Sequence, residues 1–135
     1  MHLIDTNIFL EVLLGREKSG ECKQFLKLVR DGKINAIMTD FSVHSIIVVL
    51  DGFKKLGALK TFLTSLTAYK GLRVYYTTLA DEVKAAEIEL TSGLDMDDAI
   101  QYSAALSNQA ESIVSFDKHF DGLKTPRNEP KNLLK

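Results

Sequence analysis

The sequence lacks the features that mark secreted and membrane proteins. Its one cysteine, Cys22, can form no intramolecular disulfide and leaves zinc without a second sulfur ligand, which fits a reducing compartment. The longest apolar run, Ile46–Leu50, is far below the roughly 18 to 20 residues that span a bilayer. The opening residues also lack the basic start and long apolar stretch of a signal peptide. We therefore expect a cytoplasmic protein that does not enter the membrane.

Neither sign of charge prevails, and proline is scarce. The 135 residues include 17 basic and 18 acidic ones, and the formal net charge of −1 excludes the overall attraction to nucleic acid of a strongly basic domain. Any phosphate binding must then be local. The two prolines, Pro126 and Pro130, lie in the polar segment 122–135, which we expect to be a short edge strand or a loose tail. The length of the chain predicts one domain over residues 1–135.

Apolar stretches along the chain predict strands that alternate with helices. Strands are predicted at residues 2–5, 35–39, 72–77 and 113–116. Helices are predicted at residues 6–14, 18–31, 41–53, 59–66 and 78–91, and from Asp95 onward. This order predicts a single-domain, three-layer α/β/α fold with a central parallel sheet of four or five strands. The helix at 41–53 is apolar on nearly every side, so we expect it to be buried between other elements.

Three aspartates stand where a parallel sheet collects its ligands. Asp5 ends the first predicted strand, Asp117 follows the last, and Asp98 lies in the first turn of a helix. The carboxyl ends of parallel strands meet at one edge of the sheet, so these side chains can come together around a cation. Two carboxylates about 4 Å apart repel by roughly 4 kcal/mol at an effective dielectric of about 20, so such a site needs a cation or a raised carboxylate pKa. Ligands of this kind suit Mg²⁺ or Mn²⁺ bound together with a substrate phosphate.

Each aspartate also has an ordinary structural interpretation. Asp5 can cap the helix that follows it, and Asp117 can cap the turn Lys118–Phe120. Asp97 and Asp98 lie in a first helical turn, where negative charge gains about 0.3 to 1 kcal/mol from the helix dipole. Taken one at a time, the structural interpretation is favoured for each residue. The joint placement of three aspartates favours the metal site.

Three segments of the chain resemble the signature segments of an enzyme family. They are Leu3-Ile4-Asp5-Thr6-Asn7, Leu94-Asp95-Met96-Asp97-Asp98-Ala99 and Ile113-Val114-Ser115-Phe116-Asp117-Lys118-His119-Phe120. In order and spacing the chain resembles PIN-domain ribonucleases, a family that includes VapC-like toxins of toxin–antitoxin modules. The resemblance implies a central parallel sheet, an acidic pocket that binds Mg²⁺ or Mn²⁺, and endonucleolytic cleavage of single-stranded RNA. It also implies a homodimer and, for a toxin, an inhibitory antitoxin protein.

The resemblance implies a role for each matching residue. The acidic residues of the family's metal site correspond to Asp5, Asp98 and Asp117. Asn7 matches the polar residue after the first of them, and Ser115 matches the hydroxyl two positions before the last. Asp97 is an adjacent reserve carboxylate. We expect these aspartates to be the catalytic residues, with Asp97 or Asp117 orienting the water that attacks the phosphodiester.

One position departs from the family's pattern. The helix after the second strand usually carries a glutamate near its start, and here His44 occupies that place. Imidazole ligates Mn²⁺ or Zn²⁺ but suits Mg²⁺ poorly, so the change can alter the metal preference or lower the activity. Asp40, four residues earlier, can orient the imidazole or replace the missing charge. The structural alternative for His44 is a satisfied polar group in a buried helix. His119, expected on an exposed turn, and His2 have weaker claims.

Three hypotheses for the function follow. The leading one is a metal-dependent endoribonuclease that hydrolyses single-stranded RNA. The second is a catalytically weakened or inactive PIN-like module that binds RNA or protein. The third is a phosphatase or receiver-type domain whose aspartate accepts a phosphoryl group, but Asn7 stands where that motif has a second acid. The apolar helices at 8–14 and 59–66 offer a dimer face, although the core has an equal claim on them.

Overall fold

The fold of residues 1–134, which the computed structural model describes, alternates strands with helices. The strands are β1 (His2–Ile4), β2 (Ala36–Thr39), β3 (Leu72–Tyr75), β4 (Ile113–Val114) and β5 (Arg127–Asn128). The helices are α1 (Thr6–Leu13), α2 (Ser19–Arg30), α3 (Asp40–Gly52), α4 (Leu56–Leu66), α5 (Leu79–Ser92) and α6 (Met96–Ser107), with 3₁₀ helices at Lys118–Phe120 and Pro130–Leu133. None of the helices found in residues 1–134 is long and apolar enough to cross a membrane.

All five strands run parallel in one sheet, in the order β3-β2-β1-β4-β5. In chain order, β2 and β3 are added on one side of β1. The chain then crosses back, and β4 and β5 are added on the other side of β1. The direction of strand addition therefore reverses between β1 and β4. Such a switch point opens a crevice at the carboxyl ends of the strands. The parallel α/β sheet predicted from the sequence is confirmed.

Hydrophobic side chains cover both faces of the sheet. Leu3 and Ile4, neighbours in β1, are both fully buried but belong to different clusters. Ile4 lies in the cluster formed by residues of α1 to α4, whereas Leu3 packs with Ala104 and Ala105 of α6. Successive side chains of a strand point to opposite faces, so the two clusters are the two layers of core on either side of the sheet. The three-layer α/β/α arrangement follows.

Helix α3 corrects the expectation that residues 41–53 are buried on nearly every side. Its buried residues are Ser42, Ile46 and Leu50, at a spacing of four, so only one face of the helix enters the core. Val48, on another face, is 70% exposed. Apolar composition overstated the burial because it does not reveal whether a partner element covers the outer face of a helix.

The C-terminal segment adopts the edge-strand alternative. β5 pairs in parallel with β4 and closes that side of the sheet. The 3₁₀ helix after it buries Pro130 and contacts α2, where the backbone N–H of Lys131 donates to Glu21 Oε2 at 3.1 Å. Lys135, the last residue of the predicted tail, lies outside the described residues.

Candidate functional site

Three separate parts of the chain bring carboxylates to the crevice at the switch point. Asp5 directly follows β1 and is the N-cap of α1. Asp117 follows β4 and caps the 3₁₀ helix at Lys118–Phe120. Asp98 lies in the first turn of α6, whose N-cap is Asp95. Because β1 and β4 are neighbouring parallel strands, Asp5 and Asp117 lie at the same edge of the sheet.

The carboxylates line one cavity of about 180 Å³, which we call the acidic pocket. Its walls are formed by Asp5, Thr6, Asn7, Phe41, Ser45, Asp97, Asp98, Gln101 and Asp117. Every aspartate predicted to be catalytic therefore faces one cavity, together with Asn7. Asp5 is buried, whereas Asp97 and Asn7 are exposed, so the pocket runs from the protein interior to solvent.

Ser115 connects the carboxylate of Asp5 to the backbone of Asp117. Its buried hydroxyl donates to Asp5 Oδ2 at 2.7 Å and accepts the backbone N–H of Asp117 at 2.9 Å. The other oxygen of Asp5 accepts the backbone N–H of Thr6 at 2.8 Å. Ser115 therefore lies beneath the pocket rather than in its wall, and it fixes the Asp5 carboxylate relative to the chain at Asp117.

The negative charges of the aspartates in the pocket repel one another. Burial, followed by the neighbouring charges of Asp117, Asp95 and Asp5, raises the pKa of Asp98 to about 6. Burial also raises the pKa of Asp5, although the hydrogen bonds from Ser115 and Thr6 act in the opposite direction. A nearby cation stabilises the ionised form of such a carboxylate, because its charge compensates both the lost hydration and the repulsion between the carboxylates.

His44 and Asp40 do not join the acidic pocket. His44 is exposed on α3, and both residues line a separate cavity beside Val74 and Tyr76. Asp40 Oδ1 accepts the backbone N–H and the hydroxyl of Thr77, at 3.0 and 3.1 Å. The expectation that His44 occupies a site position is therefore not met by the geometry.

Ser45, one residue after His44, is the α3 residue that faces the acidic pocket together with Phe41. Successive residues of an α-helix differ by about 100° around its axis, so a shift of one residue turns a side chain to another face. The pocket consequently receives no acidic or imidazole group from α3.

A hydrogen-bonded network that the sequence did not indicate extends beneath the pocket from two of its wall residues, Thr6 and Gln101. Gln101 of α6 donates through Nε2 to Ser42 Oγ of α3 and accepts through Oε1 from Thr39 Oγ1 at 3.2 Å. The hydroxyl of Thr6 in α1 lies 2.8 Å from Ser42 Oγ. The network thus connects the elements that carry the pocket walls. No periodic pattern distinguishes these residues from ordinary polar ones, so only their spatial arrangement reveals them.

His119 also approaches the carboxylates, more closely than its sequence position suggested. It lies on an exposed turn as expected, with 72% of its side chain exposed. Its Nδ1 atom nevertheless lies 3.2 Å from Asp117 Oδ1 and 3.4 Å from Asp98 Oδ2. The one sequence signal for this contact is that His119 follows Asp117 by two residues in a turn that Asp117 caps.

The donor set of the pocket fits a divalent cation. Asp98, Asp117 and His119 each offer one ligand atom, and these atoms all lie within 4.8 Å of one another. Asp5 adds a buried carboxylate to the same cavity, and Asp97 adds an exposed one. Oxygen-rich sets of this kind suit Mg²⁺ and Mn²⁺.

Comparison with known protein families agrees with this geometry. The sequence matches the family described as the PIN domain over residues 2–119, a span that contains every carboxylate of the acidic pocket. No curated protein matches the sequence.

Several solved structures share the fold at low sequence identity. A toxin–antitoxin complex from Klebsiella pneumoniae matches with a TM-score of 0.74 at 16% identity, over 96% of this chain and 98% of that chain. VapC20 from Mycobacterium tuberculosis, a Sarcin-Ricin loop cleaving toxin, matches with a TM-score of 0.71 at 15% identity, over 87% and 90% of the two chains. FitAcB from Neisseria gonorrhoeae matches with a TM-score of 0.71 at 17% identity, over 98% and 100%. At these identities the similarity shows the fold alone.

Proposed function

The chain belongs to the PIN domain family, and on that premise we propose that it is a metal-dependent endoribonuclease that hydrolyses phosphodiester bonds of single-stranded RNA. One observation carries the proposal: Asp5, Asp98 and Asp117, from three separate parts of the chain, converge in one pocket at the switch point of the sheet.

Each residue of the pocket has its own role in the proposed hydrolysis. Asp5, Asp98 and Asp117 would hold Mg²⁺ or Mn²⁺. Such a cation supplies Lewis acidity, which polarises a phosphate oxygen and makes water easier to deprotonate. Asp97, exposed at the rim, or Asp117 orients the attacking water and takes its proton. The side-chain amide of Asn7, which is exposed and also lines the pocket, would donate a hydrogen bond to the phosphate.

The test compares cleavage of an unstructured RNA by the wild type, Asp5→Asn and Asp51→Asn, with Mn²⁺ or Mg²⁺ and with EDTA. Asp51 is an exposed aspartate of α3 that does not line the acidic pocket, so its variant is the matched control. We expect Asp5→Asn to reduce cleavage by roughly 100-fold or more, since even the outer partners of metal ligands contribute about 10- to 100-fold. Asp51→Asn should cleave like the wild type. Equal cleavage by the wild type and Asp5→Asn would refute the proposal.

A weakened or inactive PIN-like module that binds RNA or protein is the second candidate. It is favoured by the α3 wall of the pocket, where Phe41 and Ser45 offer no carboxylate, while His44, which stands where the family usually has a glutamate, lines another cavity. Titration with Mn²⁺ separates the two candidates. A module that only binds RNA or protein needs no affinity for Mn²⁺ above that of Asp5→Asn.

We also propose partners and a location for the protein. We infer that the protein acts in the cytoplasm as the toxin of a toxin–antitoxin pair, because the similar structures include a toxin–antitoxin complex and a toxin.

We also infer a homodimer, because Leu79, Val83 and Leu90 of α5 are 80%, 60% and 85% exposed, and a second copy of the chain would shield this apolar surface from water. The helices α1 and α4 are less available, since Phe9 packs edge-to-face on Phe62 in the core. Light scattering that gives the mass of one chain would contradict the dimer.

A further inference from the structure

We propose that His119 supplies a nitrogen ligand to the cation held by Asp98 and Asp117, and that this ligand makes the site prefer Mn²⁺ to Mg²⁺. The inference rests on the proposed function in one respect, since both require a cation in the acidic pocket. It adds a residue from outside the pocket wall, and it assigns the metal preference to a turn after β4 rather than to His44.

The distances around His119 fit ligands of one ion. In octahedral coordination at about 2.1 to 2.3 Å, neighbouring ligand atoms are separated by about 3.0 to 3.3 Å. The Nδ1 atom of His119 lies 3.2 Å from Asp117 Oδ1 and 3.4 Å from Asp98 Oδ2. His119 therefore already lies at nearly the separation from each carboxylate that a shared cation requires, and the ligand atoms of all three residues lie within 4.8 Å of one another.

The turn that carries His119 is fixed from both sides. Asp117 Oδ1 accepts the backbone N–H of His119 at 2.9 Å, and the next residue, Phe120, is fully buried in the core. Arg127 of β5 donates to the carbonyl of Ser115 at 3.0 Å and pairs with Asp121 at 2.7 Å. These contacts restrain the chain before and after His119, so the imidazole meets the carboxylates without ordering a loop first.

Ligand chemistry then sets the metal preference. Mg²⁺ requires oxygen ligands in near-ideal octahedral geometry, whereas transition metals accept imidazole nitrogen. The other two histidines do not compete for this role. His44 lines a different cavity, and His2 lies 2.8 Å from Ser112 Oγ beside the N-terminal residue. A nitrogen ligand in the acidic pocket therefore has to come from His119.

The experiment detects the nitrogen ligand directly. Pulsed electron paramagnetic resonance of the full chain loaded with Mn²⁺ measures coupling between the ion and a directly bound nitrogen nucleus. We expect this coupling in the wild type and in the control His44→Gln, and we expect its loss in His119→Gln. Calorimetric titration should show that His119→Gln weakens Mn²⁺ binding by about 10-fold or more and Mg²⁺ binding by less than about 3-fold.

A second variant guards against a general loss of structure. His119→Asp replaces nitrogen with oxygen, so it should bind Mg²⁺ more tightly than His119→Gln does while still lacking the nitrogen coupling. Because His119 is 72% exposed, both variants should keep the circular dichroism spectrum of the wild type. Nitrogen coupling that is absent from the wild type, or that persists in His119→Gln, overturns the inference. Equal weakening of Mn²⁺ and Mg²⁺ binding by His119→Gln overturns the metal preference.

Failure of the inference and failure of the proposed function are distinguishable. A wild type that cleaves RNA without nitrogen coupling removes the ligand role of His119 and leaves the nuclease intact. A wild type that has the coupling but no cleavage removes the nuclease and leaves the ligand assignment intact.

Discussion

Asp98 couples the stability of the metal-free protein to pH. Its pKa is raised to about 6 by burial and then by the charges of Asp117, Asp95 and Asp5, above the ordinary value of 3.8. The folded state therefore binds this proton more tightly than the unfolded state does. The resulting stability is fully present below pH 3.8 and is lost as the pH rises through about 6.

Asp98→Asn should therefore stabilise the metal-free protein at neutral pH. After allowance for solvent screening, we expect a gain of about 1 to 2 kcal/mol in the free energy of unfolding at pH 7, and little change near pH 4. Urea denaturation in EDTA measures both values. Asp97→Asn is the matched control, because it removes a charge from the same helical turn but from an exposed residue. An Asp98→Asn variant that is less stable than the wild type at pH 7 would contradict this account.

The sequence predicted the position of the pocket carboxylates better than that of the residues around them. Asp5 and Asp117 could be predicted because a carboxylate at the end of a strand has a defined position in a parallel sheet. The resemblance pointed to His44 as a possible site residue, whereas Ser45 is the residue that lines the acidic pocket, because both lie in one helix and only the rotation of α3 decides which one faces the pocket. The approach of His119 to Asp98 joins elements that are 21 residues apart, and no local pattern encodes such a contact.

At the scale of elements, Gly71 sets how closely β3 approaches the end of α2. Its N–H donates to the carbonyl of Val29 at 2.9 Å, and its carbonyl accepts the N–H of Ala36 at 2.7 Å. A Cβ atom at this position would overlap the carbonyl oxygen of Ile34 and lie 2.7 Å from that of Val29. Backbone atoms cannot move aside as a flexible side chain does, so the turn before β3 requires glycine.

Gly71→Ala should lower the free energy of unfolding by about 2 to 4 kcal/mol. Gly20→Ala in α2 is the control, since nothing lies within 4 Å of its Cβ position. That variant should be neutral or stabilising by up to about 1 kcal/mol. Thermal and urea unfolding of both proteins measure the difference. Similar stabilities for the two variants would show that the backbone around Gly71 adapts to a side chain.

The sequence predicted the helices and strands whose ends are marked by a local signal such as a cap or a glycine. The start and end of α5 followed from the capping box of Thr78 and Asp81 and from Gly93, which takes a left-handed conformation with φ of 78°. The edge strand β5 has only two residues and forms by pairing with β4. The sequence alone therefore did not decide between an edge strand and a loose tail. The exposed face of α3 was missed because composition does not reveal what covers a helix.

At the scale of the whole molecule, the acidic pocket exists only when the fold is complete. Asp5 follows β1, Asp98 begins α6 and Asp117 follows β4, so the unfolded chain holds these carboxylates far apart. A cation that needs all three binds the folded state almost exclusively. Its binding free energy therefore adds to the stability of the entire chain.

Mn²⁺ should consequently raise the unfolding temperature of the wild type. At a free concentration about 100 times its Kd, the ion adds about 2.7 kcal/mol to the free energy of unfolding. For a chain of this length that corresponds to roughly 10 °C. EDTA should reverse the increase, and Asp98→Asn should lose most of it because a ligand is gone and less repulsion remains to be relieved. Calorimetric scans with Mn²⁺ and with EDTA measure the shift for both proteins. An equal shift in the wild type and in Asp98→Asn would mean that the cation binds elsewhere on the molecule.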